Sequence, residues 1–269
     1  MTSLDALIFG IIQGATEFLP VSSSGHSVLL PAIFNMTPPN LNAVAIAHLG
    51  TLMAVLIYFS RDVFSITKGT FASIRTGKLL ETTESKMGWF LVIGSIPAAL
   101  AGLTAKDYFE SIFAAPNMSA MFLFVTAGLL VFGEFKLKGN KPLAELTVKD
   151  TIIIGLFQAM ALLPGISRSG STIAGGLLCG FNRETSARYS FLLGIPTILG
   201  AGLLSLKDLA ETRNADTPII PLIVIFFVSG VVGYACIHLL LRWLKKRSLI
   251  PFAVYCASFG AVYLLISYL

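Results

Sequence analysis

In Gln13-Gly14-Ala15-Thr16-Glu17-Phe18-Leu19-Pro20-Val21-Ser22-Ser23-Ser24-Gly25-His26 the part from Pro20 to His26 interrupts an apolar stretch running from about 4 to 34, and the reading of that interruption decides the fold. A proline followed by serines and a glycine does not continue a helix, and Glu17 stands three residues before that proline. A second apolar stretch, about 151 to 181, is broken in the same manner by Pro164-Gly165-Ile166-Ser167-Arg168-Ser169-Gly170. Backbone that leaves the helix at membrane depth persists only where protein or a wet cavity satisfies its polar groups. Both stretches are therefore read as re-entrant helix-loop-helix hairpins.

A membrane is required by composition. The 269 residues are 55% hydrophobic and only 12% charged, with a mean hydropathy of +0.82, far from the balance of a water-soluble domain. Further apolar runs, each near the ~20 residues that cross a hydrocarbon core, occur at about 43–60, 89–105, 117–134, 189–206, 218–241 and 251–269. The expected architecture is an all-α integral membrane protein of six transmembrane helices plus the two hairpins, in one membrane domain over 1–269. The first stretch has no basic leader and carries Glu17, so it reads as part of the mature fold rather than a signal peptide. Cys179, Cys236 and Cys256 show no CxxC spacing and are assigned to packing. The net charge of +5 reports loop orientation rather than nucleic-acid binding. With both hairpins re-entrant, the basic residues from Arg61 to Lys86, Lys136 to Lys149, Arg183, Arg188 and Arg242 to Arg247 share the cytoplasmic side. Only Lys106, Lys207 and Arg213 fall on the other, and Arg168 remains inside the membrane.

An offset of 145 residues aligns Gly10 with Gly155, Gln13 with Gln158, Ser22 with Ser167, Ser24 with Ser169 and Gly25 with Gly170. The chain thus reads as two repeats, about 1–140 and 141–269, each a broken hairpin followed by three passes. Three is odd, so the second repeat inserts upside down, giving an inverted-topology repeat whose two breaks are expected to converge near the midplane.

Charged and titratable groups mark that convergence. Gln13 and Glu17, one turn apart, share a helix face, and a carboxylate at this depth must be paired, protonated or metal-bound, or else bonded to backbone freed by the break. His26 follows a Ser-Ser-Ser-Gly turn that offers hydroxyls and free N–H groups, with a satisfied buried histidine as the plainer alternative. Arg168 is a permanent cation whose planar fork suits phosphate, or an ion pair with Glu17, or both. Ser167, Ser169, Gly170 and a helix start at Ser171 and Thr172 add donors around it, as Ser22, Ser23, Ser24 and Gly25 do in the first break. His48 reads as a packing or hydrogen-bonding residue, with lining of the cavity as the alternative, His238 as an interfacial residue, and Pro97 and Pro196 as tolerated interruptions of passes, with the shaping of a lateral opening as the alternative.

The two quoted motifs together resemble those of the undecaprenyl-diphosphate phosphatase family, also called bacitracin-resistance proteins, and the similarity extends over the chain in length, spacing and hydropathy. The resemblance implies removal of the terminal phosphate of undecaprenyl diphosphate at the outer face of the bacterial inner membrane, recycling the lipid carrier for cell-wall synthesis. By position it carries over Gln13 and Glu17, Ser23 and His26, and Arg168 with its flanking serines. Many members have glutamate where this chain has Gln13, which weakens that position as a base or charged metal ligand. On this reading Arg168 and nearby N–H groups hold the diphosphate, and His26 is general base or nucleophile. Ser23 attacks phosphorus or positions the phosphate. Glu17, with Gln13 beside it, orients His26 or binds Mg²⁺ or Ca²⁺ on the phosphates. Expected partners are the polyprenyl diphosphate, membrane lipid and, as an option, a second copy in a homodimer. The competing class is a transporter or flippase of a phosphorylated lipid or small anion.

Overall fold

Helix starts and stops in this chain follow local chemistry. A capping box at Thr2, whose hydroxyl accepts the Asp5 N–H while the Asp5 carboxylate accepts the Thr2 N–H, opens α1 (Ser3–Phe18). An identical box at Thr147 and Asp150 opens α7 (Val148–Met160), so the 145-residue offset extends to the caps. These observations come from a computed structural model describing residues 1–34, 36–105, 108, 109, 112, 115–212 and 218–269, with side chains at 203–212 left aside. The remaining helices are α2 (Ser23–Phe34), α3 (Leu41–Tyr58), α4 (Ser60–Thr76), α5 (Thr83–Thr104), α6 (Pro116–Lys136), α8 (Arg168–Leu178), α9 (Arg183–Thr212), α10 (Ile219–Leu244) and α11 (Ile250–Tyr268). No strand occurs among the described residues.

Five of these helices, α3, α5, α6, α10 and α11, are long and apolar enough to cross a membrane, and the chain is a multi-pass membrane protein. The sixth expected pass, 189–206, falls within α9, part of which lies outside the described side chains. Helix also appears where a loop was expected: residues 60–76 form α4, joined to α3 by a break at Phe59 and ended by Gly77 in the left-handed region at φ 72°. The second hairpin's outgoing helix begins at Arg168, three residues earlier than the expected start at Ser171.

Both interrupted segments fold back on themselves. The first part of α1 (Asp5, Ile8), with Met1 before it, and the end of α2 (Leu30, Phe34) line one cleft of about 550 Å³. In the second segment Gly175 of α8 lies against Ile154 and Phe157 of α7, and the Cys179 thiol reaches the Asp150 carbonyl at 3.9 Å. Each incoming helix packs on a helix of the opposite half through small residues, which let backbones approach closely without water between them. Gly14 of α1 leaves no room for a Cβ, which would lie 2.7 Å from the Ser229 carbonyl oxygen of α10. Gly155 of α7 stands likewise against the Gly94 carbonyl of α5, at 2.5 Å. Phe18, at the end of α1, meets Phe191 of α9 edge-on at 5.5 Å in the buried centre. All three cysteines are free thiols.

Candidate active site

The two breaks make the same local hydrogen bonds. Ser22 accepts the Gly25 N–H through Oγ at 3.1 Å and lies 3.2 Å from the Ser24 hydroxyl. Ser167 accepts the Gly170 N–H at 3.0 Å and lies 3.2 Å from Ser169. Each thus caps its helix at the third N–H. They differ in backbone: Ser22 sits in the left-handed region at φ 72°, a conformation costing a non-glycine residue about 1–3 kcal/mol and held by surrounding contacts, whereas Ser167 is extended. Gly165 supplies the second break's positive φ of 97°, and a Cβ there would lie 2.1 Å from the Ser119 carbonyl oxygen. Thr126 of α6 closes that break by donating to the Gly165 carbonyl and accepting the Ser167 N–H.

The breaks also meet one another. Ser24 accepts the Gly165 N–H at 3.4 Å, and Ser169 donates to the Leu19 carbonyl at 3.2 Å. Ser24 and Ser169 are equivalent under the offset, so each half's serine reaches the other half's turn.

Their meeting point is Glu17, nearly buried at the end of α1. Its Oε1 accepts from the Arg168 guanidinium at 2.6 Å, and its Oε2 accepts from the Ser23 hydroxyl at 2.8 Å and the Gln13 amide at 3.0 Å. Ser23 and Arg168 are equivalent positions, each the first residue of its outgoing helix, and they grip opposite oxygens of one carboxylate. The first half supplies the acid; the matching position in the second half is Leu162. A buried guanidinium and carboxylate persist together because either alone would carry a large desolvation cost. Arg168 also reaches the Ser190 carbonyl of α9 at 3.4 Å, and its guanidinium lies against Gly194, where a Cβ would be 2.2 Å from Nη1.

His26 does not join this cluster by a hydrogen bond. Its Nδ1 is 2.7 Å from the Ser22 carbonyl and therefore carries the proton, leaving Nε2 to accept from the Tyr255 hydroxyl of α11, also at 2.7 Å. Phe259 stacks on the ring at 4.7 Å. Ser171 donates to the carbonyl of the cap residue Ser167 and Thr172 to that of Arg168, so both hydroxyls serve the turn, and that of Thr172 also ties it to the Ser190 hydroxyl of α9 at 2.6 Å. His48, read from sequence as packing, brings Nε2 to 3.7 Å from Glu17 Oε2 while its Nδ1 bonds the Val44 carbonyl. Tyr255, Thr126, Ser190 and Gly194 carry no sequence signal of their own.

Among the described residues no group of three or more His, Cys, Asp or Glu side chains forms a metal cage. Glu17 is the single carboxylate here and Arg168 already balances its charge. That donor set suits a hard cation arriving on phosphate oxygens better than one resident in the protein.

The family model described as bacitracin resistance protein BacA matches residues 6–262. An undecaprenyl-diphosphatase of Methanosphaera stadtmanae is 40% identical over 273 residues, spanning 98% of each chain. One of Chlorobium phaeobacteroides is 39% identical, spanning 97% of this chain and 95% of its own. A third, from Thermomicrobium roseum, is 40% identical over 99% of this chain and 98% of its own.

Proposed function

Because this chain belongs to the bacitracin resistance protein BacA family, we propose that it hydrolyses undecaprenyl diphosphate to undecaprenyl phosphate and inorganic phosphate. The observation that carries this reading is the convergence of Arg168 and Ser23 on Glu17 inside an apolar protein. It gathers an oxyanion clamp, a hydroxyl nucleophile and a proton acceptor at one point.

Glu17 occupies the guanidinium in the substrate-free protein, and the terminal phosphate takes its place. Arg168 then holds two phosphate oxygens as a fork and neutralises charge on the transferred phosphoryl group. Glu17, released from the ion pair, accepts the proton of Ser23 as that oxygen attacks phosphorus and undecaprenyl phosphate leaves. His26, one turn beyond Ser23, activates the water that frees phosphate from the serine once its Nε2 exchanges the Tyr255 hydroxyl for that water. Ser22, Ser24, Gly25, Ser167, Ser169 and Gly170 line the clamp and fix the two turns. Mg²⁺ or Ca²⁺ would be held by Glu17, with the Gln13 amide beside it, and would offset phosphate charge when bound.

Six passes with two re-entrant hairpins, in an inverted repeat of about 1–140 and 141–269, is the architecture we propose around the site. Matching capping boxes, matching serine turns and the packing of each incoming helix on the opposite half support it. The same proposal sets the protein in the bacterial inner membrane with its site opening outward, a sidedness that the loop charges support. The transporter reading is not favoured, since the relatives are phosphatases by name. The test is inorganic phosphate release from undecaprenyl diphosphate by the purified chain in detergent, with and without EDTA. Release by the wild type that Arg168→Ala lowers by more than a hundredfold is expected; no release, or equal release by the variant, overturns the proposal.

A further inference from the structure

The surface of α4 sorts its side chains into sectors. Val63, Ile66, Thr70 and Ser73 face α5: Ile66 and Thr70 lie against Gly88, and the Trp89 indole donates to Ser73 at 3.1 Å. On the side away from α5, Arg61, Phe64, Lys68, Phe71 and Arg75 succeed one another at spacings of three and four, which aligns them in a single stripe. All five are exposed, Phe64 at 71% and Phe71 at 69%, and Ile74 extends the apolar part toward α5. Around the helix the order is therefore protein contact, apolar side chains, cations, then the small and polar positions Ser65, Ala72 and Thr76. The three cations have no acidic partner among the described residues, and the one acid of α4, Asp62, bonds Arg188 of α9 at 3.2 Å.

Position fixes what such a helix meets. One end of α4 follows the span α3 after a single residue, Phe59, and the other leads through a short turn into the span α5, so it lies where two spans leave the bilayer on one face. There an apolar sector sinks among acyl chains and a neighbouring row of cations sits at headgroup level. We propose that α4 is a binding surface for anionic phospholipid, with Phe64 and Phe71 in the acyl layer and Arg61, Lys68 and Arg75 pairing with headgroup phosphates.

The test measures binding of dioleoyl phosphatidylglycerol and dioleoyl phosphatidylcholine to the full-length protein in neutral detergent, by native mass spectrometry and by the lipid-dependent rise in melting temperature. Each cation near an anionic surface contributes roughly a fivefold factor, so the triple variant R61Q/K68Q/R75Q is expected to lose on the order of a hundredfold in affinity for the anionic lipid. Binding of the zwitterionic lipid should stay unchanged. Wild-type preference for the anionic lipid should also shrink at high salt, a comparison that needs no variant. Equal wild-type affinity for the two lipids, or undiminished anionic binding by the triple variant, would overturn the proposal; the first outcome would leave the stripe to an acidic protein.

Discussion

Gly194→Ala tests the site at a residue that touches no substrate in the proposal. The new methyl carbon would stand 2.2 Å from Arg168 Nη1, 2.8 Å from Cζ and 3.1 Å from Nη2. Ordinary contact between such atoms is about 3.5 Å, so the guanidinium must retreat by about 1.3 Å. A flexible arginine terminus can make that move without displacing backbone, yet it cannot do so while keeping the 2.6 Å bond to Glu17 and the 3.4 Å contact to the Ser190 carbonyl. Misplacing a catalytic group by about 1 Å costs roughly a hundredfold in rate, equivalent to about 2.7 kcal/mol of transition-state stabilisation. The assay is kcat/KM for phosphate release, measured for the wild type, Gly194→Ala, Arg168→Ala and the double variant. The expected result is a loss near a hundredfold for Gly194→Ala and almost no further loss when Arg168 is already absent. Activity within threefold of the wild type, or the same loss in both backgrounds, would refute the idea that Gly194 acts by seating the guanidinium.

Arg168→Lys should also lower kcat/KM by about a hundredfold or more in the phosphate-release assay, because a point charge does not reproduce the two-pronged grip. For His26→Ala, turnover should fall while equilibrium binding of a non-hydrolysable diphosphate analogue is retained; parallel loss of both would assign the ring to holding the Ser22 turn. EDTA should stop turnover and Mg²⁺ or Ca²⁺ should restore it, whereas equilibrium dialysis of the substrate-free protein should find only weak cation binding; tight binding without substrate would show a resident ion. Gly14→Ala should destabilise the protein by about 1–3 kcal/mol through overpacking of α1 on Ser229 and Val232, read as a lowered melting temperature in detergent.

The pairing of the charged groups was legible because the bilayer permits few explanations for a charge. Glu17 and Arg168 had to find partners at depth, and the structure pairs them with each other. The two serine turns were visible as a repeated word at a fixed offset, and they fold with the same cap bonds. Less was legible where several short-range choices were equally good. Residues 60–76 read as a basic loop, because aromatic and basic residues alternate along α4 and give no continuous apolar run. His48 looked like packing because nothing local distinguishes a histidine on the inward face of a pass.

The sequence alone determined that the chain lives in a membrane, that it is broken twice, and that ionisable groups are retained at the breaks, since all three follow from local composition and the cost of unsatisfied polarity in lipid. Tertiary structure decided which of those groups touch. Glu17 and Arg168 are 151 residues apart, and only the packing of each half's helices on the other half brings Ser23 to Glu17, turns His26 toward Tyr255 and lays a guanidinium on Gly194. Such distances depend on how backbones approach in space, and no spacing along the chain encodes them.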